Sequence, residues 1–135
     1  MKKNILLFAL LYIPSVVYAN CWVVSGLQGK SAFSGDDYAF IDDAMSGASF
    51  KLSIDERGGS LTNMNGAPIS EINYVPISRN TMIGHFQAGG GVTVETWSVT
   101  TDLKVLYSKV MNIPGMNKVT STKAFVGTVT GTCDK

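Results

Sequence analysis

The chain has 135 residues with 11 basic and 10 acidic side chains, a single histidine and two cysteines, for a formal charge of +1. So even a balance, with Arg57 and Arg79 as the only arginines, gives no footprint for DNA, RNA or an anionic membrane surface. One histidine and two cysteines are also too few for a zinc site, and no motif calls for a cofactor.

Residues 1–19 have the layout of a secretory signal peptide: basic Lys2 and Lys3, an apolar run from Ile5 to Ile13, and Val17-Tyr18-Ala19 as a small-residue cleavage site. The run is far short of the ~20 residues of a membrane-spanning helix. No later stretch approaches that length, so the protein is expected not to span a membrane. Asn20, directly before Cys21, speaks against a lipid anchor on that cysteine. The expected product is a periplasmic or secreted protein, with residues 20–135 forming one domain of roughly 116 residues. Losing Lys2 and Lys3 leaves nine basic side chains against ten acidic ones.

From Cys21 to Phe33 the chain reads as a long, imperfect strand, with Gly26 and Gly29 as bulges or points of close approach. Tyr38 to Ile41 forms a short strand between the acidic pairs Asp36-Asp37 and Asp42-Asp43. Phe50 to Asp55 alternates cleanly, with Phe50, Leu52 and Ile54 inward. Glu56-Arg57-Gly58-Gly59 then reads as a hairpin loop into Ser60–Met64. Asn65-Gly66 marks a turn, and Glu71 to Ile77 is a weaker strand that Pro76 either places at an edge or ends. Thr81 to Ala88 is a strand broken by Gly89-Gly90-Gly91. Val92–Val99 and Leu103–Val110 flank a Thr100-Thr101-Asp102 turn. After a loop at Met111–Asn117, the Thr- and Val-rich stretch from Lys118 to Cys133 is the clearest strand of all. Trp22, Phe50, Phe86, Trp97, Tyr107 and Phe125 are the expected aromatic core.

Seven or eight short strands with turn signals between them, and no sustained 3.6-residue pattern, predict an all-β fold. An oxidising compartment makes a Cys21–Cys133 disulfide the default pairing. Bonded first and last strands favour a small antiparallel β-barrel of up-and-down meander order, with a β-sandwich as second choice.

Catalytic motifs are scarce. Gly29-Lys30-Ser31 resembles the tail of a phosphate loop, but Val24 stands where the first glycine belongs. His85 lies mid-strand with no Gly-x-Ser-x-Gly elbow in the chain. Glu95 beside Thr96-Trp97 is an acid–aromatic neighbour pair of the kind found at sugar sites, and equally an ordinary feature of a half-buried strand. The two aspartate pairs lack EF-hand spacing, so solvated loop acids are expected in place of a Ca²⁺ site. Apolar side chains on predicted loops mark a candidate partner surface: Met111, Ile113, Pro114 and Met116 in one, with Tyr74 and Ile77 around Pro76 as similar.

These features lead to the expectation of an exported, non-enzymatic binding protein of the bacterial envelope, with an inhibitor or immunity-type protein acting on another protein as one form of it. The alternative is a carrier of a small apolar ligand inside the barrel. Alkylation of unreduced, denatured protein should label no thiol. Reduction should cost roughly 4–5 kcal/mol of stability in the chain-entropy description, and labelling of two thiols before reduction would remove the staple.

Overall fold

The computed structural model describes residues 18–45, 47 and 49–133, and within them the chain is built of strands with no α-helix. These are β1 (Ala19–Phe33), β2 (Phe40–Ala44), β3 (Phe50–Asp55), β4 (Gly58–Thr62), β5 (Asn73–Ser78), β6 (Thr81–Ala88), β7 (Gly91–Val99), β8 (Lys104–Asn112) and β9 (Ser121–Thr132). Apart from Tyr18 and Ala19, the predicted leader lies outside the described residues. β1 pairs antiparallel with both β2 and β3, each strand from β3 on pairs antiparallel with the next, and β9 returns to pair with β1, which closes an eight-strand meander barrel.

Nine segments fill eight positions because β2 and β3 share one. Both run antiparallel to β1 along the same edge, β2 opposite Gln28–Ala32 and β3 opposite Ala19–Val24. They are one long strand interrupted where β1 bulges. The bulge is at Gly26, whose φ of +67° suits glycine and few other residues, and the β1–β9 register shifts between Ser25 and Gln28. Across from it, the Met45 N–H donates to the Leu27 carbonyl at 3.0 Å.

Gly29 has a different task. A Cβ at that position would overlap the Ala124 carbonyl oxygen, so the closing ladder can form only if residue 29 has no side chain. The Cys21–Cys133 disulfide, with Cα atoms 5.3 Å apart, then joins the start of β1 to the end of β9. The Cys133 N–H donates to the Cys21 carbonyl at 3.2 Å, so the covalent link extends the ladder. A disulfide fits an oxidising, extracytoplasmic compartment, and among the described residues no helix is long and apolar enough to cross a membrane.

The inward face is filled with side chains. Val24, Leu52, Ile54, Met82 and Val105 are all at 0 % exposure and Trp97 at 1 %. Phe50 meets Trp97 edge-on with centroids 5.6 Å apart. Trp97 and Tyr107 follow at 4.3 Å, and Tyr107 and Phe125 at 5.7 Å. This aromatic row crosses the interior and contributes well beyond its buried area.

Several boundaries and faces differ from the sequence reading. β9 starts at Ser121, with 118–120 in the preceding connection, and β8 continues to Asn112, so Met111 is a strand residue. The β3–β4 turn is only Glu56-Arg57, tightened by Asp55 Oδ1, which accepts from the Arg57 and Gly58 N–H groups at 2.7 and 3.2 Å. Asp42 and Asp43 lie within β2 and not in a loop. Phe86 is 49 % exposed and not part of the core. It continues the inward phase of Met82 and Gly84, but pairing of β6 with β5 stops at His85–Asn73, so nothing packs over it from that side. Trp22 is half-buried and packs against the core from its edge.

The closing ladder supplies a direct test. Gly29→Ala should lower unfolding free energy by about 3 kcal/mol, the upper range for forcing a group into a packed site, as measured by urea denaturation. Gly131→Ala, where a Cβ would meet nothing within 4 Å, should change it by less than about 1 kcal/mol. Equal effects would mean that Gly29 is not what permits closure.

Candidate functional site

Two places concentrate chemistry. The first is an inward-facing row in which Glu95 (β7), Lys109 (β8), Lys123 (β9) and Ser31 (β1) are successive register partners. Alternation puts all four on the inside, the same face as Trp97 and Tyr107, so a charged layer lies directly beside the apolar one.

Glu95 is 6 % exposed, and both of its oxygens are fully engaged. Oε2 accepts from Tyr74 Oη at 2.6 Å and from Trp97 Nε1 at 3.3 Å. Oε1 accepts from Tyr107 Oη at 3.3 Å and pairs with Lys109 Nζ at 3.0 Å. Next to it, Lys123 Nζ pairs with Asp43 Oδ2 at 2.8 Å, and Ser31 Oγ donates to the same oxygen at 2.5 Å. Lys123 also lies 4.8 Å from the Phe33 ring centroid. The hydrogen bonds from Lys123 and then Ser31 hold the Asp43 carboxyl below its ordinary range.

Two lysines directly opposite each other on one face would repel. Here each has its own acid, so the layer is neutral. Among the described residues no buried side-chain polar atom lacks a partner. A carboxylate with four donors has no free lone pair directed at a substrate, so this arrangement suits holding β5, β7 and β8 together. A pocket of about 270 Å³ opens beside it, lined by Met45, Tyr107, Lys109, Lys123 and Phe125 among others. His85 is exposed on β6, opposite Asn73 and Val94, away from this row. Asp42 pairs with Lys30 at 2.6 Å, and no group of three or more potential metal ligands occurs among the described residues.

The second place is the end of the barrel opposite the disulfide. There the β1–β2 turn, which begins with a 3-10 turn at Ser34–Asp36, meets the β8–β9 connection, 113–120. The Ser34 N–H donates to the Thr120 carbonyl at 2.9 Å and the Gly35 N–H to the Asn117 carbonyl at 3.0 Å. Thr120 Oγ1 accepts from the Ile113 N–H at 3.1 Å and donates to the Ile113 carbonyl at 3.0 Å. The two connections are thus tied into one unit, from which Tyr38 and Met116 project at 57 and 52 % exposure, and Phe40, the first residue of β2, is 69 % exposed.

Of the six apolar residues expected to form a partner surface, four belong to this end. Met116 and Pro114 are exposed, Ile113 is half-buried over Gly91, and Met111 is half-buried on β8. The other two lie elsewhere. Ile77 is 65 % exposed on the wall, near Val75 and Ile83. Tyr74 is 5 % exposed with its hydroxyl on Glu95, so it belongs to the interior and not to an outer surface. The alternation of β5 could have shown this, since Tyr74 and Ile77 differ by an odd number of positions. Tyr38 and Phe40 were missed as surface residues, although the aspartates flanking them were the available signal.

The tyrosines of the charged row give a pH test. Burial, then the hydrogen bond to Glu95, pushes the Tyr74 hydroxyl far above its ordinary range. Burial, then the Glu95 charge, does the same for Tyr107. Groups with raised values favour the fold fully below the unfolded tyrosine pKa of about 10 and lose that contribution as pH rises beyond it. In residues 20–135 expressed alone with Tyr38→Phe, only these two tyrosine hydroxyls remain. Stability should then fall by roughly 2–3 kcal/mol per pH unit above about pH 10.5, and tyrosinate absorbance should rise only together with loss of circular dichroism. Tyrosinate formation with the dichroism intact would contradict the buried placement. Comparison with protein-family models, with curated proteins and with solved structures finds no match.

Proposed function

We propose that this is an exported, non-enzymatic binding protein that docks on another protein through the end opposite its disulfide. An inhibitor or immunity-type protein of the bacterial envelope is one concrete form of that reading. The observation that carries it is the joined unit of the β1–β2 turn and the 113–120 connection, which presents Tyr38 and Met116 to solvent, with exposed Phe40 at the start of β2. Apolar and aromatic side chains fixed in place before contact lose little freedom on binding, which is how a few residues come to carry most of an interface's affinity.

The carrier alternative draws no comparable support. A small apolar ligand needs an internal cavity, whereas the centre of the barrel is occupied by Trp97, Leu52, Ile54, Met82 and Val105 at 0–1 % exposure. The saturated Glu95 and the outward His85 likewise give the enzyme reading little to work with.

A photo-cross-linking residue in place of Met116 should form a discrete adduct with one envelope or extracellular protein. The same residue in place of Glu56, at the disulfide end, should not. Met116→Ser together with Phe40→Ser should weaken the interaction tenfold or more, the scale of hot-spot truncation. Native mass spectrometry of freshly purified protein should show the bare chain. A co-purifying lipid-like mass with no adduct at position 116 would favour the carrier.

A further inference from the structure

Next to the aromatic row, the charged layer has one open side. We propose that the pocket of about 270 Å³ beside it is a binding site for a small monoanion with a flat apolar body, an aromatic carboxylate.

Its walls are Ala44, Met45, Tyr107, Lys109, Lys123 and Phe125. Both lysines of the charged layer are among them, whereas the acids that hold them, Glu95 and Asp43, are not. The pocket therefore meets two ammonium groups whose carboxylates are turned to other sides. A layer that is neutral as a whole presents a positive wall here. Lys109 and Lys123 are direct register partners on β8 and β9, so their stems leave the sheet side by side and their head groups can share one anion.

Each ammonium also has donors to spare, since it carries three N–H groups. Among the described residues Lys109 Nζ has one acceptor, Glu95 Oε1 at 3.0 Å, and Lys123 Nζ has one, Asp43 Oδ2 at 2.8 Å. The Phe33 and Phe125 rings, with centroids 4.8 and 5.7 Å from Lys123 Nζ, steady that head group without accepting a strong hydrogen bond. The two lysine side chains keep 21 and 23 % of their surface open to solvent, so a solute reaches them with the layer intact. Holding register takes only the two ion pairs. Adjacent like charges with open donors add what an anion needs, charge-assisted hydrogen bonds.

The remaining walls select the body of the ligand. Tyr107 commits its hydroxyl to Glu95 and offers its ring, 5.7 Å from that of Phe125. Met45 supplies an adaptable thioether beside them. The volume lies below the roughly 300 Å³ at which pockets for drug-sized ligands begin, so the fit is to one ring and not to a lipid chain. A dianion such as phosphate gives up strong hydration against these apolar walls, whereas an aromatic monoanion fills them.

The test titrates the purified, disulfide-bonded protein with phenylacetate and, separately, with 2-phenylethanol, a neutral molecule of similar shape, followed by NMR. Phenylacetate should bind saturably and shift the Met45, Tyr107, Phe125 and lysine side-chain signals. Phenylethanol should bind more weakly by about tenfold or more, the scale of a lost hydrogen bond to a charged group, and equimolar inorganic phosphate should not displace phenylacetate. Lys123→Met with Asp43→Asn removes one ammonium together with its acid, and affinity for phenylacetate should again fall about tenfold with circular dichroism retained. Where that variant does not fold, the comparison of acid and alcohol on the parent protein decides alone. Equal binding of acid and alcohol, displacement by phosphate, or shifts confined to other residues would each overturn the assignment. So would the absence of a saturable shift up to about 20 mM, where a site of millimolar affinity is filled. Docking at Met116 is read by cross-linking and stands or falls separately from all of these outcomes.

Discussion

The pairing of β1 with β9 is the constraint on which the other features depend. A meander of hairpins has two exposed edges unless its ends meet, and exposed edges invite pairing with other chains. Closure here needs β9 to approach β1 so closely that position 29 cannot carry a side chain, and it needs β1 to bend, which the bulge at Gly26 allows. The disulfide fixes only the far end of that ladder. The non-covalent part does the shaping and the covalent part keeps the ends from fraying.

Closure also sets what the interior can be. An eight-strand barrel has room for about as many side chains as its inward positions supply. This one divides them into two layers. Toward the disulfide, aliphatic and aromatic side chains pack around Trp97. Above them, Glu95, Lys109, Lys123 and Asp43 form two adjacent ion pairs, with Tyr74 and Tyr107 bridging the layers through hydroxyls on Glu95. Buried charge is costly unless every partner is in place. The layer therefore works as a register lock more than as a source of net stability, because a one-residue slip of β7 or β8 would turn Glu95 or Lys109 outward and strand its partner.

With that interior packed, the side chains free to meet a partner lie outside it, and two connections at one end are tied into one unit. The β1–β2 turn and the 113–120 connection come from opposite parts of the chain, and β1–β9 pairing brings them together. Main-chain hydrogen bonds between them then make one rigid platform. The same ladder that closes the barrel thus builds the surface proposed to meet a partner.

Much of the fold was legible in the residues. The alternation of Phe50–Asp55, the Thr- and Val-rich stretch ending at Cys133, the glycines at 26 and 29 and the two terminal cysteines together determined an all-β, stapled meander. Local periodicity and turn chemistry act within a few residues, so sequence can express them directly. What it could not express is which of two mixed faces turns inward. Glu95 alternates with Val94 and Thr96, and only the closed barrel, with Tyr74, Tyr107 and Lys109 arriving from β5 and β8, makes the carboxylate the inward residue. The meeting of Ser34 and Gly35 with the Met116 loop, and the sharing of one barrel position by β2 and β3, were decided in the same way. These contacts join residues tens of positions apart, and their geometry follows from the curvature of the closed sheet, which no single segment contains.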